Sequence, residues 1–200
     1  MNIPSICAKM KPVIIVEGAE LTGKSFIISQ LYRALQPRFQ THPHILNGCH
    51  WFNNDVGLLG DVSGERLLEH HTNLIESLPD RLIILEKFHL SHAIYAEIYS
   101  GADFRYNSLE SRLAERGAVL LLCALESADA IWQQRLAERL RLYPHYGRIA
   151  QKPAGYQQQQ ELYQQRFDSS QLPKKRLDTT HLPNDQLITS TLRWLENYLQ

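Results

Sequence analysis

Gly18 to Ser25 reads Gly-Ala-Glu-Leu-Thr-Gly-Lys-Ser, two glycines separated by four residues and followed by a lysine and a hydroxyl. Each residue type at that spacing suits one task around a phosphate chain. The glycines let the backbone curl until consecutive N–H groups point inward, and a helix starting behind them adds the positive end of its dipole. The Lys24 ammonium can reach β- and γ-phosphates, and the Ser25 hydroxyl can ligate Mg2+. The expected phosphate-binding set is therefore Gly18, Ala19, Glu20, Leu21, Thr22, Gly23, Lys24 and Ser25, with Phe26 at the start of the following helix.

A second chemical position lies in "LIILEKFHLSHAIYAEIY", Leu82–Tyr99. Glu86 stands where a buried strand surfaces beside the loop. A carboxylate there can hold Mg2+ through water, accept a proton from an attacking hydroxyl or orient a phosphate; an ordinary surface ion pair is the competing reading. Arg135, Arg139, Arg141 and Arg148 cluster before and within a Pro/Gly connector. Helical spacing puts Arg135 and Arg139 on one face, suited to clamping phosphates when a lid over about 138–155 closes, although a solvated basic face fits them too. Trp51, Phe52, Phe88 and Tyr95 could stack on a base, and Phe88 and Tyr95 fit plain core packing equally well. His70-His71 and His89/His92 lack a third ligand at metal spacing.

These groups need a scaffold that holds them at one edge. Apolar β-forming runs alternate with segments of helical period, the pattern of a parallel sheet covered on both faces. The expected strands are Val13–Val16, a short one near His44–Leu46, Arg81–Glu86, Gly117–Leu125 and Lys175–Thr180. Helices are expected after the loop with an end at Pro37, over Glu65–Leu78, from about His89 to Tyr99 and Ser108 to Arg116, through Trp132, Leu136 and Leu140 with Ser127 as cap, from about Tyr156 to Phe167, and at the C-terminus. The Asn- and Gly-rich stretch "NGCHWFNNDVGLLGDVSGE" reads as a loop carrying two aromatics.

Composition narrows the class. Two hundred residues correspond to one domain, 1–200, with a core large enough to stand without disulfides. Lys+Arg and Asp+Glu are 21 each, so no overall basic field favours nucleic acid. Cys7, Cys49 and Cys123 are odd in number, far apart and without paired spacing, as expected of reduced thiols in a cytoplasmic protein. No apolar run approaches membrane-spanning length, and residues 1–12 lack a signal-peptide core. The Asn-Lys-x-Asp of a GTPase does not occur, and "DVSG", Asp61–Gly64, follows no apolar strand.

"VIIVEGAELTGKS" resembles the opening of thymidylate kinases and their phage and bacterial relatives, an apolar strand, Glu-Gly-x-Asp and then Gly-Lys-Ser/Thr. Glu17-Gly18 matches, and Glu20 stands in for the Asp. "LEKFHLSHAIY" resembles that family's Asp-Arg-Tyr/Phe segment, with Glu86-Lys87 in place of Asp-Arg, which keeps the charges and replaces a bidentate fork with a point charge. The Glu leans toward the sister deoxynucleoside kinases, and the family's Arg-Glu-Pro-Gly-Gly-Thr loop is missing. The resemblance implies a P-loop NTPase three-layer α/β/α sandwich with five parallel strands and a lid. It implies ATP and Mg2+, with catalysis by Lys24, Glu86 and Arg139, metal held by Ser25 and Glu86, and a nucleoside monophosphate acceptor, thymidylate first. Arg105 is then the expected cation for the acceptor's phosphate, against a solvated loop arginine. Nucleotides are the expected partners, and the resemblance admits a homodimer. A nucleoside kinase or another small-molecule kinase is the enzyme alternative, and a regulatory protein that binds ATP without transfer is the alternative of another class.

Overall fold

Parallel pairing of five strands brings their carboxyl ends to one edge. In the computed structural model, which describes residues 11–60, 63–126 and 128–199, the strands are β1 (Val13–Glu17), β2 (Cys49–Asn53), β3 (Leu82–Glu86), β4 (Val119–Ala124) and β5 (Lys174–Asp178). Their order is β2-β3-β1-β4-β5, and every pair is parallel. Glu86 lies opposite Val16 on one side and Asn53 on the other, and Glu17 lies opposite Leu122. The charged residues that end β1 and β3 therefore meet at the middle of one edge, where open α/β sheets bind ligands.

The helices are α1 (Lys24–Phe39), α2 (Val56–Leu59), α3 (Gly64–Ser77), α4 (His89–Ser100), α5 (Asn107–Glu115), α6 (Asp129–Leu142), α7 (Pro153–Ser169) and α8 (Asp185–Leu195), with a 3-10 turn at Pro144–Arg148. Alternation along the strands sorts the apolar side chains into two cores. Ile14, Val16, Ile84 and Leu121 pack with α1 and α8, while Ile15, Ile83, Leu85 and Leu122 pack with α3 to α7. These side chains are essentially fully buried, each contributing about 1.5–3 kcal/mol relative to exposure. Three layers result, as expected.

The expected second strand is corrected. Residues 44–46 make only an isolated bridge, His42 with Ile45, and β2 instead uses Cys49–Asn53, inside the stretch expected to be a loop. Pairing with β3 satisfies its backbone on one side, and Gln36 Oε1 on α1 accepts the N–H groups of Gly48 and Cys49 at 2.9 and 2.8 Å. Gly48 permits that approach, since a Cβ there would lie 2.2 Å from the Gln36 carbonyl oxygen. Pro37 does not end α1, which runs on to Phe39; a proline in the last turn removes one hydrogen bond without stopping the chain. Cys49 and Cys123 are free and buried. Cys7, Asp61 and Ser127 lie outside the described residues.

Candidate active site

The loop after β1 is held in a conformation most residues avoid. Gly18 has φ 145°, and a Cβ there would meet the Cys123 carbonyl oxygen at 2.4 Å, so only glycine lets the loop settle on β4. Leu21 (φ 67°) and Gly23 (φ 78°) are left-handed, the kind of turn that aims successive amides into a concavity. The Thr22 hydroxyl closes the loop on the Ala19 carbonyl at 2.8 Å. Lys24 opens α1 with its ammonium 2.8 Å from the carbonyl oxygens of Gly18 and Ala19. Burial lowers its pKa, against the pull of Glu20, Cys123 and Glu86.

Glu86 is 3% exposed and accepts the Ser25 hydroxyl on Oε1 at 2.7 Å, while Oε2 has no partner among the described residues. Asn54 fixes this corner: its N–H donates to the Glu86 carbonyl at 3.0 Å and its amide to the Lys87 carbonyl at 2.6 Å. Lys87, which the sequence reading did not place in the site, takes φ 63°. Leu21 and Lys87 are the non-glycine residues with positive φ among those described, and both line one cleft. Such strain costs about 1–3 kcal/mol per residue and gathers at functional sites.

That cleft, about 390 Å3, is lined by Glu20, Leu21 and Gly23 from the loop, Lys24, Ser25 and Phe26 from the start of α1, Glu86 at the end of β3 with Lys87 after it, and Arg135, Glu138, Arg139 and Leu142 from α6 with Tyr143 after it. Arg135 is committed elsewhere, donating to the carbonyls of Thr179 and Thr180 at 2.8 and 3.2 Å. Arg139 is exposed, its guanidinium 4.9 Å from the ring of Tyr143 and 5.2 Å from that of Tyr146. Arg141 and Arg148 are exposed and outside the cleft.

Other expected site residues are not brought together. Phe88 and Tyr95 are core, at 0% and 3% exposure. Phe52 is half-buried against the α3–α7 core, and Trp51, its neighbour on the strand, faces the opposite side at the edge. Arg105 lies in a second cleft of about 260 Å3 with His89, Glu110 and Arg166, side chain 70% exposed and paired with Asp103 at 3.0 Å.

Glu17 has a role that spacing did not reveal. Its Oε1 accepts the N–H groups of Phe88, Leu90 and Ser91 at 2.8, 3.1 and 3.2 Å, and its Oε2 the Ser91 hydroxyl at 2.5 Å. A carboxylate at the start of α4 satisfies amides the helix leaves open and locks β1 to the element after Glu86. His89 and His92 are packed: His89 meets Glu110 at 2.9 Å and His92 meets the Tyr106 hydroxyl, whereas His70 is exposed. Burial works to raise the Glu110 pKa, but hydrogen bonds from His89, Ser170 and Gln171 outweigh it and hold the carboxyl below its usual value.

Among the described residues no cluster of three His, Cys, Asp or Glu could hold a metal. The oxygen pair of Ser25 and Glu86, with one carboxylate oxygen free, nonetheless fits Mg2+, a cation that takes few protein ligands and completes its shell with phosphates and water. No helix among the described residues is long and apolar enough to cross a membrane.

No protein-family model and no curated protein matches the chain. Solved structures do. The YorR protein of Bacillus subtilis, in complex with phosphorylated GDP, is 18% identical, with 94% of this chain and 99% of that one covered and a TM-score of 0.65. Polyphosphate kinase 2 from Arthrobacter aurescens TC1 is 15% identical, with 96% and 68% covered and a TM-score of 0.66. The chain shares the fold of these structures, an all-parallel five-stranded sheet with helices packed around it.

Proposed function

We propose that the chain is a phosphotransferase that takes the γ-phosphoryl group of ATP, with Mg2+, and passes it to an acceptor that itself carries phosphate. The observation that carries this reading is the Ser25–Glu86 pair, 2.7 Å apart at the foot of the loop with Glu86 Oε2 unpartnered. A buried carboxylate oxygen without a partner among the described residues is a cost that a metal-bound phosphate chain would offset. The two similar structures, one with phosphorylated GDP and one a polyphosphate kinase, support chemistry on phosphate chains.

In this reading the loop amides and Lys24 hold the donor phosphates, and Ser25 with Glu86 holds Mg2+, which supplies charge neutralisation when bound. Arg139, without a side-chain ion pair among the described residues and lying over the rings of Tyr143 and Tyr146 at the cleft wall, meets the charge that develops during transfer. Lys87 takes the acceptor-phosphate task first expected of Arg105, since its strained backbone presents it beside Glu86 in the same cleft. A nucleoside monophosphate, thymidylate by the resemblance, is the acceptor to try first, in a cytoplasmic protein that admits a homodimeric form. Purified protein with labelled ATP and Mg2+ should label one or more members of a panel of nucleoside monophosphates. Label on nucleosides alone would move it to the nucleoside kinases; ATP binding with no labelled product on nucleosides, monophosphates or polyphosphate would refute transfer.

A further inference from the structure

The lid segment reaches the phosphate loop through one buried chain of hydroxyls. Tyr146, in the 3-10 turn and 7% exposed, donates to Glu20 Oε2 at 2.7 Å. Having given its proton there, it accepts from the Tyr156 hydroxyl 3.0 Å away, and Tyr156 accepts the Gln151 N–H at 3.0 Å. Every proton in the chain points toward the carboxylate, so each bond polarises the next. The Tyr156 ring lies parallel to Trp132 of α6, centroids 6.2 Å apart, which ties α6, the turn and α7 into one unit. Burial, then the bonds with Tyr156 and Glu20, push the Tyr146 phenol pKa up, so the hydroxyl remains a donor.

We propose that Tyr146 is a positioning residue: its bond to Glu20 draws the lid onto the phosphate loop and sets Arg139, whose guanidinium lies over the Tyr146 ring, above the donor phosphates. The lid is thus latched by the loop itself and not by nucleotide alone. The effect on rate rests on the phosphoryl-transfer reading; the latch does not.

Tyr146→Phe keeps the ring and removes the proton, so the test uses it with Glu20→Ala as a second variant. In nucleotide-free protein, trypsin should cut after the exposed Arg141 and Arg148 about tenfold faster in either variant, the population change expected for one hydrogen bond to a charged group, and no faster in the double variant. At saturating ATP, kcat should fall about tenfold in Tyr146→Phe, with the KM for ATP little changed. In an Arg139→Ala background the same substitution should cost nothing more. Unchanged cleavage in both variants overturns the latch. Faster cleavage with normal kcat, or a full further loss in the Arg139→Ala background, overturns the positioning of Arg139. Faster cleavage in a protein whose wild type labels no acceptor sustains the latch and removes the transfer reading instead.

Discussion

Replacing Glu86 by Gln separates chemistry from structure at the centre of the site. The side chain is 3% exposed, and its partnered oxygen is the one a glutamine retains, so the Ser25 hydroxyl still finds an acceptor 2.7 Å away. Changing a charged acceptor to a neutral one loses about 1 kcal/mol. Removing a buried charge whose second oxygen is unpartnered returns about the same or more. The two nearly cancel, so the melting temperature without ligand should move by no more than about 4 °C in either direction for a chain of this size. Turnover should behave differently. Loss of a metal-holding or proton-accepting carboxylate costs on the order of a hundredfold or more, and thermal stabilisation by ATP with Mg2+, about 2.7 kcal/mol at a hundred times Kd, should shrink. Calorimetry with and without nucleotide, beside labelled-ATP transfer at saturating Mg2+, measures both. Turnover within about threefold of wild type, or a drop in melting temperature beyond about 8 °C, would refute the assignment and make Glu86 structural.

Three further outcomes are expected. Transfer should fall at alkaline pH with a midpoint below the ordinary lysine value of 10.5, because burial lowers the Lys24 pKa and the rate needs the ammonium; in Glu86→Gln the residual activity should fall at still lower pH, since Glu86 helps keep Lys24 protonated. Arg139→Ala should reduce kcat by roughly a hundredfold with little change in melting temperature, whereas Arg135→Ala should lower the melting temperature by about 2–6 °C through loss of its bonds to Thr179 and Thr180. Arg105→Ala should leave transfer within about twofold and stability within about 0.5 kcal/mol, because its partner Asp103 is a surface ion pair, while Lys87→Ala should raise the KM for a monophosphate acceptor.

The parts legible in the sequence were those whose signal is local. The phosphate loop announces itself because glycine, lysine and hydroxyl must stand at fixed offsets, and the three central strands do because burial on both faces makes Val13–Val16, Leu82–Leu85 and Val119–Ala124 continuously apolar. The edge strands carry half the burial and therefore less of the pattern. β2 alternates exposed and half-buried residues and was read as loop, because what makes it a strand is the β3 backbone beside it and Gln36 behind it, both distant in sequence.

Side-chain direction was the least legible property. Arg105 and Lys87 are both cations following Glu86, and the resemblance, with the arginine's fixed charge, favours Arg105. The structure separates them by backbone: Asn54 and Val16 grip the peptide groups around Lys87, holding φ at 63° and placing it on the cleft wall, whereas Arg105 follows only in the loop after the twelve-residue helix α4 and lines a different cleft. A strained lysine kept at the end of β3 has a cost that a relaxed surface lysine does not. That cost is borne where Glu17 clamps the start of α4 with four hydrogen bonds, so the Glu17 cap and the Lys87 strain form one device. Glu17→Gln should therefore release both, and a loss of acceptor affinity in that variant without any loss of ATP affinity would be its signature.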